Sequence, residues 1–288
     1  MSCGAPRDIE ANGLRLRLYE WGPPGRPPAL LLHSLAAHSH WWDWSAPLLA
    51  GRFSVAALDL RGHGGSAWSE PPAYRAADYA ADVVAVLDAL GWRSPLVIGH
   101  SLGGYVGAYL AARHPDRVGA LVITDTMTQW SDDEAARALQ QVERPGPEFA
   151  NPSEAGSRYR LSPPETGAPG DWIRHLGQAA VVERQPGVWQ YAFDRKVFAH
   201  ARPDAWPVLP GVVCPTLVVR GGGSTIMDRD AWLRVATTVQ RGQFAEIKDT
   251  WHHLILDDPA GFVSTVTAWL DRAMAPPAGP GGRSVGDK

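Results

Sequence analysis

Apolar residues in this chain fall into two recurring patterns: short unbroken runs, and longer stretches with every third or fourth position apolar. Residues 29–33 (Ala-Leu-Leu-Leu-His), 54–59, 95–98, 118–125 and 216–221 are runs of the first kind. Such runs predict strands buried on both faces. Tyr79, Val83, Val86, Leu87 and Leu90 show the second pattern and end at Gly91. Leu102, Val106, Tyr109 and Leu110 repeat it. Both stretches predict helices. Further helices are expected over 132–142, 172–183 and 230–239, and near the end, where Phe262, Val263, Val266, Trp269 and Leu270 share a face. A short strand is expected at 243–247, and Asn12-Gly13 predicts a hairpin between 8–11 and 14–21. Strands alternating with helices imply an α/β fold, a mostly parallel sheet with helices on both faces.

The alternation breaks at Thr128. Ten prolines fall between 128 and 210, among short helical patches. That segment is expected to be an inserted, mainly helical lid. It divides the core into residues 1–127 and 211–274, and the Pro/Gly-rich residues 275–288 are expected to be disordered.

Bulk properties narrow the function classes. The chain has 288 residues, 45% hydrophobic and 20% charged, enough for a sizeable core. Its formal charge is −3 with no long run of either sign, which argues against a nucleic-acid surface or a polybasic membrane anchor. No stretch reaches the roughly 18 apolar residues of a membrane span. Cys3 and Cys214 read as free thiols of a reducing compartment. No basic segment followed by an apolar one opens the chain, so the expected location is the cytoplasm.

Chemistry concentrates at Gly99-His100-Ser101-Leu102-Gly103. A strand leads into this box and a helix follows, the context of a nucleophile elbow that lifts a serine hydroxyl into a cleft. A serine needs a base to take its proton and a third group to orient that base. His252 and His253 stand in a turn before the last helix, where they can face the elbow.

In order along the chain, Leu30-Leu31-Leu32-His33, Asp59-Leu60-Arg61-Gly62-His63-Gly64, the 99–103 box and 251–259 together resemble the α/β-hydrolase fold superfamily, across roughly residues 7–273. The resemblance implies that the base is His252, seven residues before Pro259, with His253 as the competitor. It also implies an acid, commonly in a Gly-x-x-Asp-like turn after the second-to-last strand. Here that turn reads Gly221-Gly222-Gly223-Ser224 and carries no carboxylate. The other recurrent place is the end of the strand after the elbow helix, which selects Asp125, with Asp228 as the alternative. The oxyanion donors it implies are the amides of Leu102 and Leu35. Family members usually have His-Gly where this chain has His33-Ser34.

Ser34, His100, Trp41 and Trp130 are expected to contact substrate. The 59–66 turn reads as structural, with Arg61 paired internally, because it lacks a Walker lysine and a third spaced glycine. His33, His38 and His40 lack an acidic or cysteine partner at a recognisable ligand spacing, so no metal is expected, and no cofactor. The expected activity is that of a serine hydrolase cleaving an ester, lactone or similar activated carbonyl of a small apolar molecule. Two alternatives stand beside it. One is a cofactor-independent dioxygenase or lyase using the His–Asp pair, which Ser34 and the position of Asp125 resemble. The other is a non-catalytic ligand-binding protein.

Overall fold

Asn12 and Gly13 both adopt positive φ (50° and 74°), the geometry of the tight turn that closes β1 (Ala5–Ala11) on β2 (Leu14–Trp21). A computed structural model describes residues 4–200 and 203–274. After the hairpin come β3 (Pro28–Leu32), α1 (Ala46–Leu49), β4 (Ser54–Leu58), α2 (Ala76–Leu90), β5 (Leu96–His100), α3 (Leu102–Arg113) and β6 (Ala120–Thr124). Next are α4 (Asp132–Glu143), β7 (Glu148–Phe149), α5 (Pro152–Arg158), α6 (Gly170–Ala179), β8 (Val181–Gln185), β9 (Val188–Tyr191) and α7 (Val197–His200). The chain closes with β10 (Thr216–Gly221), α8 (Arg229–Thr238), β11 (Gly242–Ile247), α9 (Leu254–Asp257) and α10 (Pro259–Ala273).

Eight strands form one sheet in the order β1-β2-β4-β3-β5-β6-β10-β11. Only β2 runs against its neighbours, and every other pairing in the sheet is parallel. Alternate residues of each strand feed opposite faces. Leu30, Leu32, Val97, Leu121 and Val218 pack against α2, α3 and α8. Leu31, Ile98, Val122 and Val219 pack against α1, α9 and α10, with Trp42, Phe262 and Trp269 filling the layer. Burial on both faces explains why these strands read as unbroken apolar runs.

The strand order reverses between β3 and β5, since the chain leaves β3 toward β4 and leaves β5 toward β6. A crevice opens at the carboxyl ends of the strands at such a point, and ligands of open α/β sheets bind there. The loop after β3 and the turn after β5 both end in it.

The segment between β6 and β10 holds helices, as its sequence suggests, and also a three-stranded antiparallel sheet in the order β7-β9-β8. Residues 181–183 belong to β8 and do not continue the preceding helix. Val181 and Val182 are β-branched and pair with Tyr191 and Gln190, across a turn at Gly187 with φ 75°. Pairing between strands outweighs local helical spacing here. The two ends of the segment are joined: Ala205 N–H donates to Thr128 O (2.9 Å), and Gln129 bridges Asp204.

Among the described residues no helix is long and apolar enough to cross a membrane. Cys214 is a buried free thiol. Cys3 and the 275–288 tail lie outside the described residues. Arg61 pairs with the buried carboxylate of Asp82, and Asp59 accepts the Ser39 and Gly65 amides, which fixes the 59–66 turn.

The elbow depends on backbones in near contact. A Cβ on Gly103 would lie 2.2 Å from Leu32 O. Replacing Gly103 with Ala is therefore expected to lower stability by at least about 2 kcal/mol. A urea midpoint matching the wild type would contradict this packing.

Candidate active site

Ser101 stands between β5 and α3 with φ 53° and ψ −114°, a left-handed conformation that costs a non-glycine residue on the order of 1–3 kcal/mol. Neighbouring groups hold it there. Its N–H donates to Thr124 O (2.9 Å), and its carbonyl accepts the Gly104 and Tyr105 amides and the Thr126 hydroxyl (3.1 Å). The turn places the Leu102 amide first in α3, where a helix N–H has no intrahelical partner.

Asp125 follows β6 directly and is fully buried, with φ 42°. Three donors meet its carboxylate: Gly221 N–H (3.0 Å), Ser224 Oγ–H (2.6 Å) and His252 Nδ1–H (2.8 Å). A proton on Nδ1 leaves Nε2 of His252 with its lone pair free to accept one. Among the described residues, no hydrogen bond joins His252 Nε2 to Ser101 Oγ. The alternatives fall elsewhere. Asp228 is exposed and caps α8 through Ala231 N–H (2.7 Å), and Asp230 lies in the first turn of that helix. His253 Nε2–H donates to Pro163 O (2.8 Å), and burial with the adjacent His252 pushes its pKa down to about 3.

Ser224 has no counterpart in the sequence reading. It occupies the place where the resemblance puts an acid, four residues into the Gly221 turn, and it points back at Asp125. That absence of a carboxylate was the available signal, and the contact itself joins residues 99 positions apart.

The loop after β3 rests on two neutral imidazoles. His33 Nδ1–H donates to Ser34 O (2.7 Å), while its Nε2 accepts Leu60 N–H (3.0 Å). His63 Nδ1–H donates to Arg61 O (3.0 Å), while its Nε2 accepts Ala36 N–H (3.2 Å). Protonation would remove each acceptor. Burial pushes His33 down to about 4, and burial together with His33 pushes His63 down to about 3.

Leu35, Ser101, Leu102, Tyr105, Met127, Trp130 and Pro203 line one cavity of about 50 Å³. The candidate nucleophile, the two candidate oxyanion residues and Trp130 thus share a single space. Ser34, His100 and Trp41 stand outside this lining. Trp41 is buried and stacked on His100 (centroids 6.0 Å), and His100 Nε2–H donates to the His252 carbonyl (2.8 Å). His100 thereby holds the His252 backbone, with Trp41 packed on its ring.

Among the described residues, two groups of side chains could ligate a metal. His100, His252 and His253 form one, and His40, Asp43 and His175 the other. The second corrects the expectation that His40 has no acidic partner. The turn of Ser39–Trp42 brings Asp43 back onto His40, and α6 supplies His175 from a distant part of the chain.

Comparison with known proteins agrees with the architecture. The profile of a family described as alpha/beta hydrolase fold matches residues 27–150. A Caulobacter vibrioides protein provisionally named carbamate hydrolase RutD is 27% identical over 274 residues, covering 91% of this chain and 97% of that one. Its namesake in Caulobacter segnis is 37% identical over 115 residues, and that match spans only 43% of the relative. The crystal structure of E-2-(acetamidomethylene)succinate hydrolase superposes with a TM-score of 0.82 at 24% identity, covering 93% of this chain and 99% of that one.

His33, His63 and His253 predict acid sensitivity. Each has a folded pKa below its unfolded value, so the unfolded chain binds more protons and stability falls with pH. The loss begins as pH drops below about 6.5 and continues toward 3–4, at roughly 1.4 kcal/mol per pH unit for each of the three histidines. Urea unfolding at pH 7, 6 and 5 measures it, and a flat profile would refute it.

Proposed function

The chain belongs to the α/β-hydrolase fold superfamily, and from that premise we propose that it is a cofactor-free serine hydrolase acting on a small, largely apolar carbonyl compound. The observation that carries this reading is the buried Asp125–His252 pair beside a serine in elbow conformation. Ser101 Oγ attacks the carbonyl carbon while His252 Nε2 takes its proton. Asp125 holds the Nδ1 tautomer and stabilises the imidazolium that forms. The amides of Leu102 and Leu35 hold the oxyanion. His252 then returns the proton to the leaving group and activates a water, which releases the acyl group.

The cavity supports an apolar acyl portion, because apart from Ser101 and the tyrosine hydroxyl its described lining is apolar. An ester, lactone or similarly activated carbonyl fits that chemistry. The relatives' names extend the candidate bonds to carbamates and acylated enamines. At about 50 Å³ the space is far below the roughly 300 Å³ of a typical ligand site. Trp130 and Pro203, from the two ends of the 128–210 segment, must move with neighbouring Met127 to admit substrate. That segment therefore acts as a lid, with the Thr128–Ala205 contact as its neck.

A second reading has one observation in its favour: the Asp125–His252 bond is made, while no bond joins His252 to Ser101. A His–Asp dyad that deprotonates substrate without an acyl-serine would need only the first. A fluorophosphonate probe separates the two. Covalent labelling of wild type and none of Ser101→Ala is expected. Turnover that survives Ser101→Ala and disappears in His252→Ala would overturn the serine reading.

Two further variants test the acid. Asp125→Asn should lower kcat by roughly ten-thousand-fold with the fold intact, since the amide favours the wrong tautomer. Ser224→Ala removes one donor from the carboxylate and should lower kcat/KM by about tenfold. An unchanged kcat/KM would reduce Ser224 to a loop contact.

A further inference from the structure

His40, Asp43 and His175 lie outside the cavity at Ser101. His40 Nδ1 and His175 Nε2 both reach the same oxygen, Asp43 Oδ2, at 2.9 and 2.8 Å. The three donor atoms lie within 4.8 Å of one another. The carboxylate is fully buried, whereas the His40 and His175 side chains are 17% and 31% exposed, so an ion can approach from the imidazole side.

We propose that His40, Asp43 and His175 form a binding site for a divalent transition ion of the zinc type. Two imidazole nitrogens and one carboxylate oxygen are the donor set such ions prefer, with a fourth position open to water. Bonds of about 2.0–2.1 Å to tetrahedral zinc put donor atoms about 3.3 Å apart, so the two separations to Asp43, 2.8 and 2.9 Å, open by a few tenths of an ångström, while the two ring nitrogens, within 4.8 Å, settle to the same spacing. Both rings are already oriented. His40 packs on Tyr19 (centroids 4.4 Å), and His175 stands edge-on to Trp44 (5.6 Å), which itself stacks on Trp172 (4.5 Å). Such outer contacts hold ligands in place before the ion arrives.

The site joins two parts of the chain. His40 and Asp43 follow the β3 loop that carries Leu35, and His175 belongs to α6 of the inserted segment. A bound ion ties that segment to the core. This inference does not depend on the proposed hydrolase activity.

Titration of the tag-free full-length protein with zinc sulfate, followed by calorimetry and thermal unfolding, tests it. One zinc per chain and a raised Tm are expected. His175→Ala and Asp43→Asn, with folding checked by circular dichroism, should bind about a hundredfold more weakly or worse. His253→Ala should bind as wild type does. Cobalt should give the intense visible absorption of a low-coordinate site, and His175→Ala should lose it. Undiminished binding by His175→Ala, loss of binding in His253→Ala, or no binding by wild type at millimolar zinc would each overturn the site.

Discussion

A carboxylate sealed from water needs donors around it, and at Asp125 the acid and its donors come from three separate stretches of chain. Gly221 ends β10 and Ser224 lies in the turn after it, His252 lies in the turn before α9, and the aspartate follows β6 directly. Satisfying one buried charge therefore aligns three loops at the carboxyl edge of the sheet. His252 is oriented as a by-product, with Nδ1 committed to the aspartate and Nε2 left free. The elbow is braced from the same edge: Thr124 O accepts the Ser101 amide, and Thr126 donates to the Ser101 carbonyl. Strain at Ser101 and Asp125, both at positive φ, is tolerated because neighbouring strands overdetermine their positions.

Histidines do most of the polar work around this edge, nearly all of it as neutral rings. His33 and His63 each donate through one nitrogen and accept through the other, a dual role that only neutral imidazole can fill. The loop they brace carries the Leu35 amide, so the same protonation that destabilises the fold also loosens a candidate oxyanion donor. His100 is held well below the ordinary imidazole range, chiefly by burial, and carries the His252 backbone. The inserted segment meets this loop through the Leu176 carbonyl on His38, His175 on Asp43 and Trp172 on Trp44. Those contacts tie the segment to the loop beneath it.

Much of this was legible along the chain. Unbroken runs such as Leu30–Leu32 marked strands covered on both sides, and the Asn12-Gly13 pair marked the hairpin. Gly91 marked the end of α2 through its left-handed conformation (φ 68°). The elbow was legible from its Gly-x-Ser-x-Gly box between strand and helix, although the contact that requires Gly103 is with remote Leu32. Less was legible where pairing is remote. Val181–Gln185 has helical spacing on its N-terminal side, and only Val188–Tyr191 makes it a strand. The stacking of Trp41 on His100 is likewise a contact between distant residues that no local pattern announces.

The amino-acid order by itself determined the alternation of strands and helices, the serine turn, and a short list of acids and bases. Periodicity and turn chemistry act within a few residues, so they are written locally. The tertiary structure set Asp125 against His252 and Asp228 at the cap of α8, recruited Ser224 as a donor, and brought His175 across 132 positions to Asp43. Those choices depend on which loops the sheet order makes neighbours, and on which buried charge can find enough donors. Neither is a property of any short stretch of chain.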